Sequence, residues 1–582
     1  MIGLISTPWP LFNRPSIQLG SLKAFIKTRK PELGVRALHF YLPVAAALGY
    51  PLYEEISQST WLSEPLYAAL LYPERLESIE KFWQKRARRS RRLKAISFQS
   101  LCDRLERTSQ WLIESQQWSS FHMIGFSVCF SQLTSTLYFA RKIKKLAPEL
   151  TIVLGGSACS GAIGRSLLGL FPEVDYVISG EGELALLDLI QNGEFASNFI
   201  SDRQINRLDT LPVPDFQDYF DTLEGLEPDK RFTPKIPVEM SRGCWWNKCK
   251  FCNLNLQWRG YRSKSHQKVL DELDQLSSRY QVLGFSFMDN LLPNKGLESL
   301  FSHIGRLGKD FELFSEIRAN TPLSTLQAMA KAGMVEVQVG IEALSSSLLQ
   351  RIQKGTTALD NLEIMKNCER SDTPSLIGNL ILEFPGSTSL EVEETLETLK
   401  FASPFRPLKA IPFWLGYGSP VWIERRAHGI SRVFNHPYYR VIFPRDVFRS
   451  LITMIQGYHG PLREQRRLWQ PVKRKVAEWH SQYMALHQGP YKEPILAYRD
   501  GGEFLIIRQR RINDYPMTHK LKGTSRKIYL FCETKRTMEE IIARFPAFSR
   551  EQIGAFLQMM VEKRLMFQEK ESFLSLALPA QN

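Results

Sequence analysis

The stretch Ser241-Arg242-Gly243-Cys244-Trp245-Trp246-Asn247-Lys248-Cys249-Lys250-Phe251-Cys252 places three cysteines within nine residues. Three thiolates can hold three irons of a [4Fe–4S] cluster, and no fourth cysteine is near: Cys159 is far upstream and Cys368 far downstream. One iron is then left open. An open iron suits an enzyme that must ligate and reductively cleave a small molecule, whereas an electron carrier normally closes its coordination with a fourth protein ligand. A structural zinc site is the alternative. It wants four nitrogen or sulfur ligands, usually in two close pairs, and here one pair plus one cysteine is followed only by a lone His266. Lys248, Lys250 and Arg242 flank the thiols and are expected to favour thiolates.

Downstream of the cysteines, strands are expected at Gly284–Met288, Phe311–Ile317, Val335–Gly340, Ser375–Glu383 and Ala410–Leu415, after a first one at Ile236–Met240. Helical segments such as Gln267–Tyr280 and Leu348–Ile352 separate them, so residues 232–420 read as a partial (β/α)6 barrel with its active site at the carboxyl ends of the strands. Polar groups collect at those ends: Asp289 and Asn290, then Glu316, Arg318 and Asn320, then Gln338 and Glu342, then Glu383 before Phe384-Pro385-Gly386. Four strand ends in a row favour a common pocket over independently satisfied loop groups.

Upstream, residues 1–205 repeat the alternation on an open α/β sheet, with strands at Gly3–Ser6, Ile124–Phe130, Thr151–Leu154 and Tyr176–Ile178 and helices near Leu133–Leu146 and Glu183–Ile190. Small residues follow three strands, in Ser127 through Gln132, Gly155-Gly156-Ser157-Ala158 and Gly180-Glu181-Gly182-Glu183, where a doubly wound sheet binds its ligand. Neither G-x-G-x-x-G nor G-x-x-x-x-G-K-[ST] is present, which disfavours a dinucleotide or a nucleoside triphosphate. Residues 421–498 lose the alternation and read as a helical extension. Residues 501–582 carry a capping box at Thr537-Met538-Glu539-Glu540, a second helix capped by Ser549 and a terminal hairpin, a winged-helix-like pattern.

Composition sets wider bounds. The 582 residues exceed one ordinary core, and 43% hydrophobic with 11% aromatic content excludes a disordered chain. Apart from the close trio, the eight cysteines are scattered, which argues against a disulfide framework and for a reducing compartment. The start Met1-Ile2-Gly3-Leu4-Ile5-Ser6-Thr7-Pro8-Trp9-Pro10 offers no basic, then apolar, signal, and no apolar run reaches the length of a membrane span, so a cytoplasmic location is expected. A net charge of +15 suggests an acidic partner. The densest basic run, Lys85-Arg86-Ala87-Arg88-Arg89-Ser90-Arg91-Arg92-Leu93-Lys94, falls in a helical stretch, and such runs are usually solvated faces.

With these motifs the chain resembles cobalamin-binding radical S-adenosylmethionine (SAM) enzymes, and among them the peptide C-methyltransferases that mature ribosomally made, post-translationally modified peptides (RiPPs). The runs Pro8-Trp9-Pro10, Pro15-Ser16-Ile17-Gln18-Leu19-Gly20, Gly155-Gly156-Ser157, Gly180-Glu181-Gly182-Glu183, Ser241 to Trp246, Tyr261-Arg262-Ser263-Lys264-Ser265, Val339-Gly340-Ile341-Glu342-Ala343 and Lys354-Gly355-Thr356 carry the resemblance. It implies an N-terminal Rossmann-like cobalamin-binding domain, a radical SAM barrel and a C-terminal module that recognises a leader peptide. Cys244, Cys249 and Cys252 would ligate the cluster, whose open iron would bind SAM with Phe251 beside the adenine. Glu316, Arg318, Gln338, Glu342 and Glu383 would hold its other groups, and the loops with Ser127, Gly155, Gly156, Ser157, Glu181 and Gly182 would cradle cobalamin. Without a D-x-H-x-x-G motif, the cobalt is expected to lack a protein histidine beneath it. One departure is visible: four residues, not the commoner three, separate the first two cysteines.

The implied chemistry is methylation of an unactivated carbon, which offers no nucleophile and so needs a carbon radical and a methyl group delivered as a radical equivalent. Partners implied are a precursor peptide and a reductant such as flavodoxin or ferredoxin, with no membrane and with nucleic acid disfavoured. Two alternatives remain: the same cofactors forming a ring or bond without methyl transfer, and an Fe–S-containing nucleic-acid-binding regulator that reads DNA through the winged helix.

Overall fold

A computed structural model describes residues 1–193, 197–201, 203–488, 493–512 and 514–580; the last two residues of the predicted terminal module lie outside the described residues. The chain is an α/β protein built on two parallel six-stranded sheets. In the first, the strand order is Val35–His39, Ile2–Ser6, Met123–Ser127, Thr151–Gly155, Tyr176–Ile178, Phe199–Ile200, with every neighbouring pair parallel. The order reverses between Ile2–Ser6 and Met123–Ser127, so a crevice opens at their carboxyl ends. Two of these strands carry little sequence signal. Val35–His39 has an arginine at its second position and ends on a histidine, and Phe199–Ile200 is two residues long.

Between Val35–His39 and Met123–Ser127 the described chain inserts six α-helices spanning residues 41–114. Tyr53, Tyr67, Trp83 and Phe98 are buried in their core, against Tyr138 and Phe139 of helix Leu133–Leu146. The buried Glu64 of this insertion accepts from the Leu133 and Thr134 N–H groups at 3.1 and 2.8 Å, satisfying the open N-terminus of that helix. The basic run spans the end of helix Leu76–Ala87 and the short helix Arg91–Lys94.

The second sheet runs Ile236–Val238, Gly284–Phe287, Glu312–Arg318, Met334–Glu342, Ser375–Leu382, Lys409–Pro412 in chain order, all parallel. The first and last of these strands do not pair, which leaves the barrel open on one side. Residues 421–498 correct the helical expectation. Helix Gln470–His487 is present, but Arg432–Asn435 and Leu415–Gly416 pair antiparallel on either side of Ile455–His459. These strands are short, contain Gly457 and polar residues, and find their partners far along the chain, so no local alternation announces them.

The terminal module begins earlier than residue 501: Leu496–Asp500 pairs with Phe504–Arg511, which pairs with Asp514–Lys522. Helices Gly523–Phe531, Met538–Arg544 and Arg550–Glu562 follow, the last two opened by capping boxes at Thr537 and Ser549. The hairpin Met566–Glu569 with Ser572–Ser575 follows these helices. Lys366, buried on a barrel helix, donates to the Glu533 and Ser575 carbonyls and ties the module to the barrel. No helix among the described residues is long and apolar enough to cross a membrane.

Candidate functional site

The cysteine loop leaves the carboxyl end of Ile236–Val238 and is pinned at its base, where Ser241 and Arg242 pair antiparallel with Ser263 and Arg262. Buried Asp289 accepts from the Met240 N–H at 3.1 Å and the Ser241 hydroxyl at 2.5 Å, so its carboxylate is an anchor for the loop. Burial pushes Asp289 up to about 7. Gly243 adopts φ +86°, and a Cβ there would strike the Gly260 carbonyl, which makes glycine obligatory. Trp245 and Trp246 donate their indole N–H groups to the Leu292 and Gln353 carbonyls at 3.0 and 2.9 Å, and the Lys250 N–H reaches the Ile352 carbonyl at 2.9 Å.

Cys244, Cys249 and Cys252 are unbonded, half-buried and near enough to act on one another's ionisation. Burial pushes Cys252 up to about 11, with the other two thiols adding to the effect and the Leu254 N–H and Lys354 opposing it. The cations that favour thiolates here are Lys354 and Arg318, not the sequence neighbours. Arg242 is spent on three carboxylates, Lys250 on Glu424 at 2.6 Å, and Lys248 sits over the Trp246 ring at 5.2 Å. Among the described residues, no three His, Cys, Asp or Glu side chains surround one ion-sized point. A cubane asks for something else, one thiolate on each of three irons.

Of the strand-end groups, Arg318 and Glu342 act on the Cys249 thiol, and Glu316 lies near Glu342. Glu316 and Gln338 are direct neighbours in register. Burial pushes Glu316 up to about 7, and the nearby Glu342 carboxylate adds to this. Glu342, at φ +62°, accepts from Lys354 Nζ at 2.9 Å. Arg318 donates to the Lys354 carbonyl and lies over the Trp246 ring at 4.4 Å, while its buried Nε has no partner. Thr356 Oγ1 is likewise buried without a partner. Glu383 stands apart: its cation is Arg466, 3.8 Å away on the extension. Phe251 packs half-buried on the barrel core. Lys354 had no role in the sequence reading; its signal was the Lys354-Gly355-Thr356 run itself.

The crevice of the first sheet holds a cavity of about 270 Å³, and Ser127, Gly155, Gly156, Ser157, Glu181 and Gly182 all line it. Two of them do something other than expected. The Glu181 carboxylate is committed to Arg242 at 2.8 Å, to Arg262 and to the Ile205 N–H, so only its backbone is available to a ligand. Gly156, at φ +101°, has the Val128 carbonyl oxygen 2.7 Å from where a Cβ would stand, so chain packing alone requires glycine. Glu183, also bound by Arg242 at 2.7 Å, completes a clamp between the first sheet and the barrel. The same cavity is lined from the barrel side by Glu239, Arg242, Met288 and Asn290, and by Trp258 of the cysteine loop.

Residues 238–399 match the radical SAM superfamily, a domain that implies a [4Fe–4S] cluster and SAM. An uncharacterized methyltransferase of Pyrococcus horikoshii is 28% identical over 299 residues, covering 46% of this chain and 62% of that protein. The anaerobic magnesium-protoporphyrin IX monomethyl ester cyclase of Cereibacter sphaeroides is 26% identical over 368 residues, covering 54% of this chain and 55% of that one. The matches thus span little more than half the length of these relatives. Among solved structures, the cobalamin-dependent SAM radical enzyme OxsB, with aqua-cobalamin and SAM bound, superposes with a TM-score of 0.55 at 13% identity, over 84% of this chain and 69% of that one. At that identity the likeness speaks for the fold.

Proposed function

We propose that this chain is a cobalamin-dependent radical SAM C-methyltransferase acting on an unactivated carbon of a ribosomally made peptide. The observation that carries the reading is that the crevice of the first sheet and the carboxyl-end face of the barrel share one cavity, with Gly155 and Ser157 on one wall and Met288 and Asn290 on the other. A cofactor lying on the first wall would face the strand ends beside the cysteines. OxsB, which binds cobalamin and SAM, has this fold, and the methyltransferase relative supports methyl transfer as the outcome.

The residues present fit the groups proposed. Three mutually close thiols face two cations, and unpartnered polar atoms of Arg318 and Thr356 are buried around them. When bound, the cluster with SAM supplies a hydrogen-abstracting radical and cobalamin a methyl donor, with electrons from a flavodoxin- or ferredoxin-like reductant. Lys354 and Arg318 offset the thiolate charge. Glu316, held near 7, can offer a carboxylate or a carboxylic acid to a polar ligand group at neutral pH. The Arg242 clamp holds the two walls of the shared space against each other.

For the peptide, the support is the terminal module. Asp514–Lys522 is the outer strand of its sheet, with Tyr515 90% exposed, and can extend the sheet by a leader segment. A second reading, ring or bond formation without methyl transfer, is favoured by the cyclase relatives. Anaerobic reconstituted protein offered a precursor peptide or magnesium-protoporphyrin monomethyl ester separates them: gain of a methyl group by the peptide supports the proposal, and ring closure on either substrate without methyl gain overturns it.

A further inference from the structure

The basic run of the helical insertion is not a plain solvated face. Lys85, Arg86 and Arg89 line a cavity of about 780 Å³, larger than the one at the first-sheet crevice, between the insertion and the segment Pro437–Val441 of the extension. The only carboxylate on its lining is Glu55, already paired with Arg92 at 3.3 Å. Neither Lys85 nor Arg89 has an ion-pair partner among the described residues, and both are exposed. Arg86 is held instead between two rings, 3.6 Å from the Phe82 centroid and 4.0 Å from that of Tyr438.

Those rings continue toward the barrel. Phe82 and Tyr438 lie 5.2 Å apart, Tyr438 and Trp61 4.6 Å, and Trp61 and Trp414 5.8 Å. His436 stacks on Trp61 at 4.7 Å, and burial holds it neutral, so the stack persists at physiological pH. Trp414 lies two residues past the carboxyl end of Lys409–Pro412, the last barrel strand, on the same face as the cysteine loop. A continuous aromatic track therefore joins the barrel mouth to a cluster of uncompensated cations.

Resting on the peptide reading above, we propose that this cavity is a second recognition site, which holds an acidic segment of the substrate peptide as it passes out of the barrel mouth. Apolar side chains would lie on Trp414, Trp61 and Tyr438, and carboxylates would reach Lys85, Arg86 and Arg89. A nucleic acid would also be drawn by the charge, but a track of rings between a catalytic mouth and three cations fits an alternating apolar and acidic chain.

The test is fluorescence anisotropy of a short fluorescein-labelled peptide of glutamate and phenylalanine, titrated with the full-length protein. Lys85→Glu with Arg89→Glu is expected to weaken binding about tenfold or more, and Trp61→Ala several-fold. Arg91→Glu with Lys94→Glu makes the same charge change in the same run but outside the cavity, and is expected to leave affinity within about twofold. Equal losses from both double variants, no loss from the first, or tighter binding of a single-stranded oligonucleotide of like charge would overturn the site. The residues changed in both double variants are exposed, so folding is not at issue. The assay needs neither cluster nor turnover: a negative result strikes the cavity and leaves peptide methylation standing, whereas intact binding without methylation strikes the proposed reaction alone.

Discussion

Arg242→Met tests the clamp that joins the two halves of the site. Arg242 is buried and reaches Glu181, Glu183 and Glu239 at 2.8, 2.7 and 2.9 Å. Glu181 keeps Arg262 in the variant, but Glu183, 5% exposed, loses its one salt-bridge partner among the described residues. Burial alone raises Glu183; the Arg242 guanidinium more than offsets it and holds the group below its ordinary value. Breaking a buried pair from one side costs about 3–5 kcal/mol while the stranded charge persists. Glu183 can escape that cost by taking up a proton, at about 1.4 kcal/mol per pH unit above an ordinary value near 4.3, or about 3.7 kcal/mol at pH 7. The deficit is therefore expected to be about 3–4 kcal/mol at pH 7 and to shrink to about 1 kcal/mol at pH 5. In the parent protein the sign is opposite: a depressed carboxylate contributes stability above its unfolded value, and that contribution is lost as pH falls through the folded value. Urea unfolding of both proteins at pH 7, 6 and 5 reads the difference directly. A deficit under about 1 kcal/mol at pH 7, or one that does not change with pH, refutes the reasoning.

Three further outcomes are expected. Replacing Cys244, Cys249 and Cys252 together by Ala should leave no bound iron after anaerobic reconstitution, against about four per chain in the parent, by colorimetric iron assay. A Cβ at Gly155 meets only Ile178 atoms at 3.9–4.0 Å, and the rest of a leucine there would enter the cavity that Gly155 lines, so in Gly155→Leu the unfolding midpoint should hold while cobalamin retained after desalting falls about tenfold; Gly156→Ala should instead lower the midpoint, because Val128 leaves no room. Burial lowers Lys366 to about 8, so between pH 8 and the unfolded value near 10.4 the unfolded chain holds the extra proton and stability should rise with pH, by at most about 1.4 kcal/mol per unit. Lys366→Met, compared with the parent by urea unfolding at pH 7.5, 8.5 and 9.5, should remove that rise.

The six barrel strands were legible because each is a short apolar or alternating stretch of three to nine residues between helical segments, and the cysteine loop because its ligands are local in sequence. Val35–His39, Phe199–Ile200 and the small antiparallel sheet of the extension were not, because each is short or mixed in polarity and owes its conformation to distant partners. The same division runs through the site. Residue type and spacing pick out Cys244, Cys249 and Cys252, but which cation faces them is a tertiary fact: Lys354 comes from 102 positions after Cys252, while Lys248 and Lys250 turn away. Glu181 was read as a ligand group because its loop follows a strand; only the fold shows two arginines closing on its carboxylate.

The central claim is that the barrel and the first-sheet crevice act together to place a methyl group on a peptide carbon. Its most direct test is anaerobic turnover of a candidate precursor peptide with the reconstituted protein, cobalamin, a low-potential reductant and SAM carrying a trideuterated methyl group, followed by tandem mass spectrometry. The account predicts a peptide that gains one intact trideuteromethyl group on carbon, and no such product when cobalamin is omitted. SAM consumption that yields a cyclised or dehydrogenated peptide with no deuterium, or methylation unchanged without cobalamin, would contradict it.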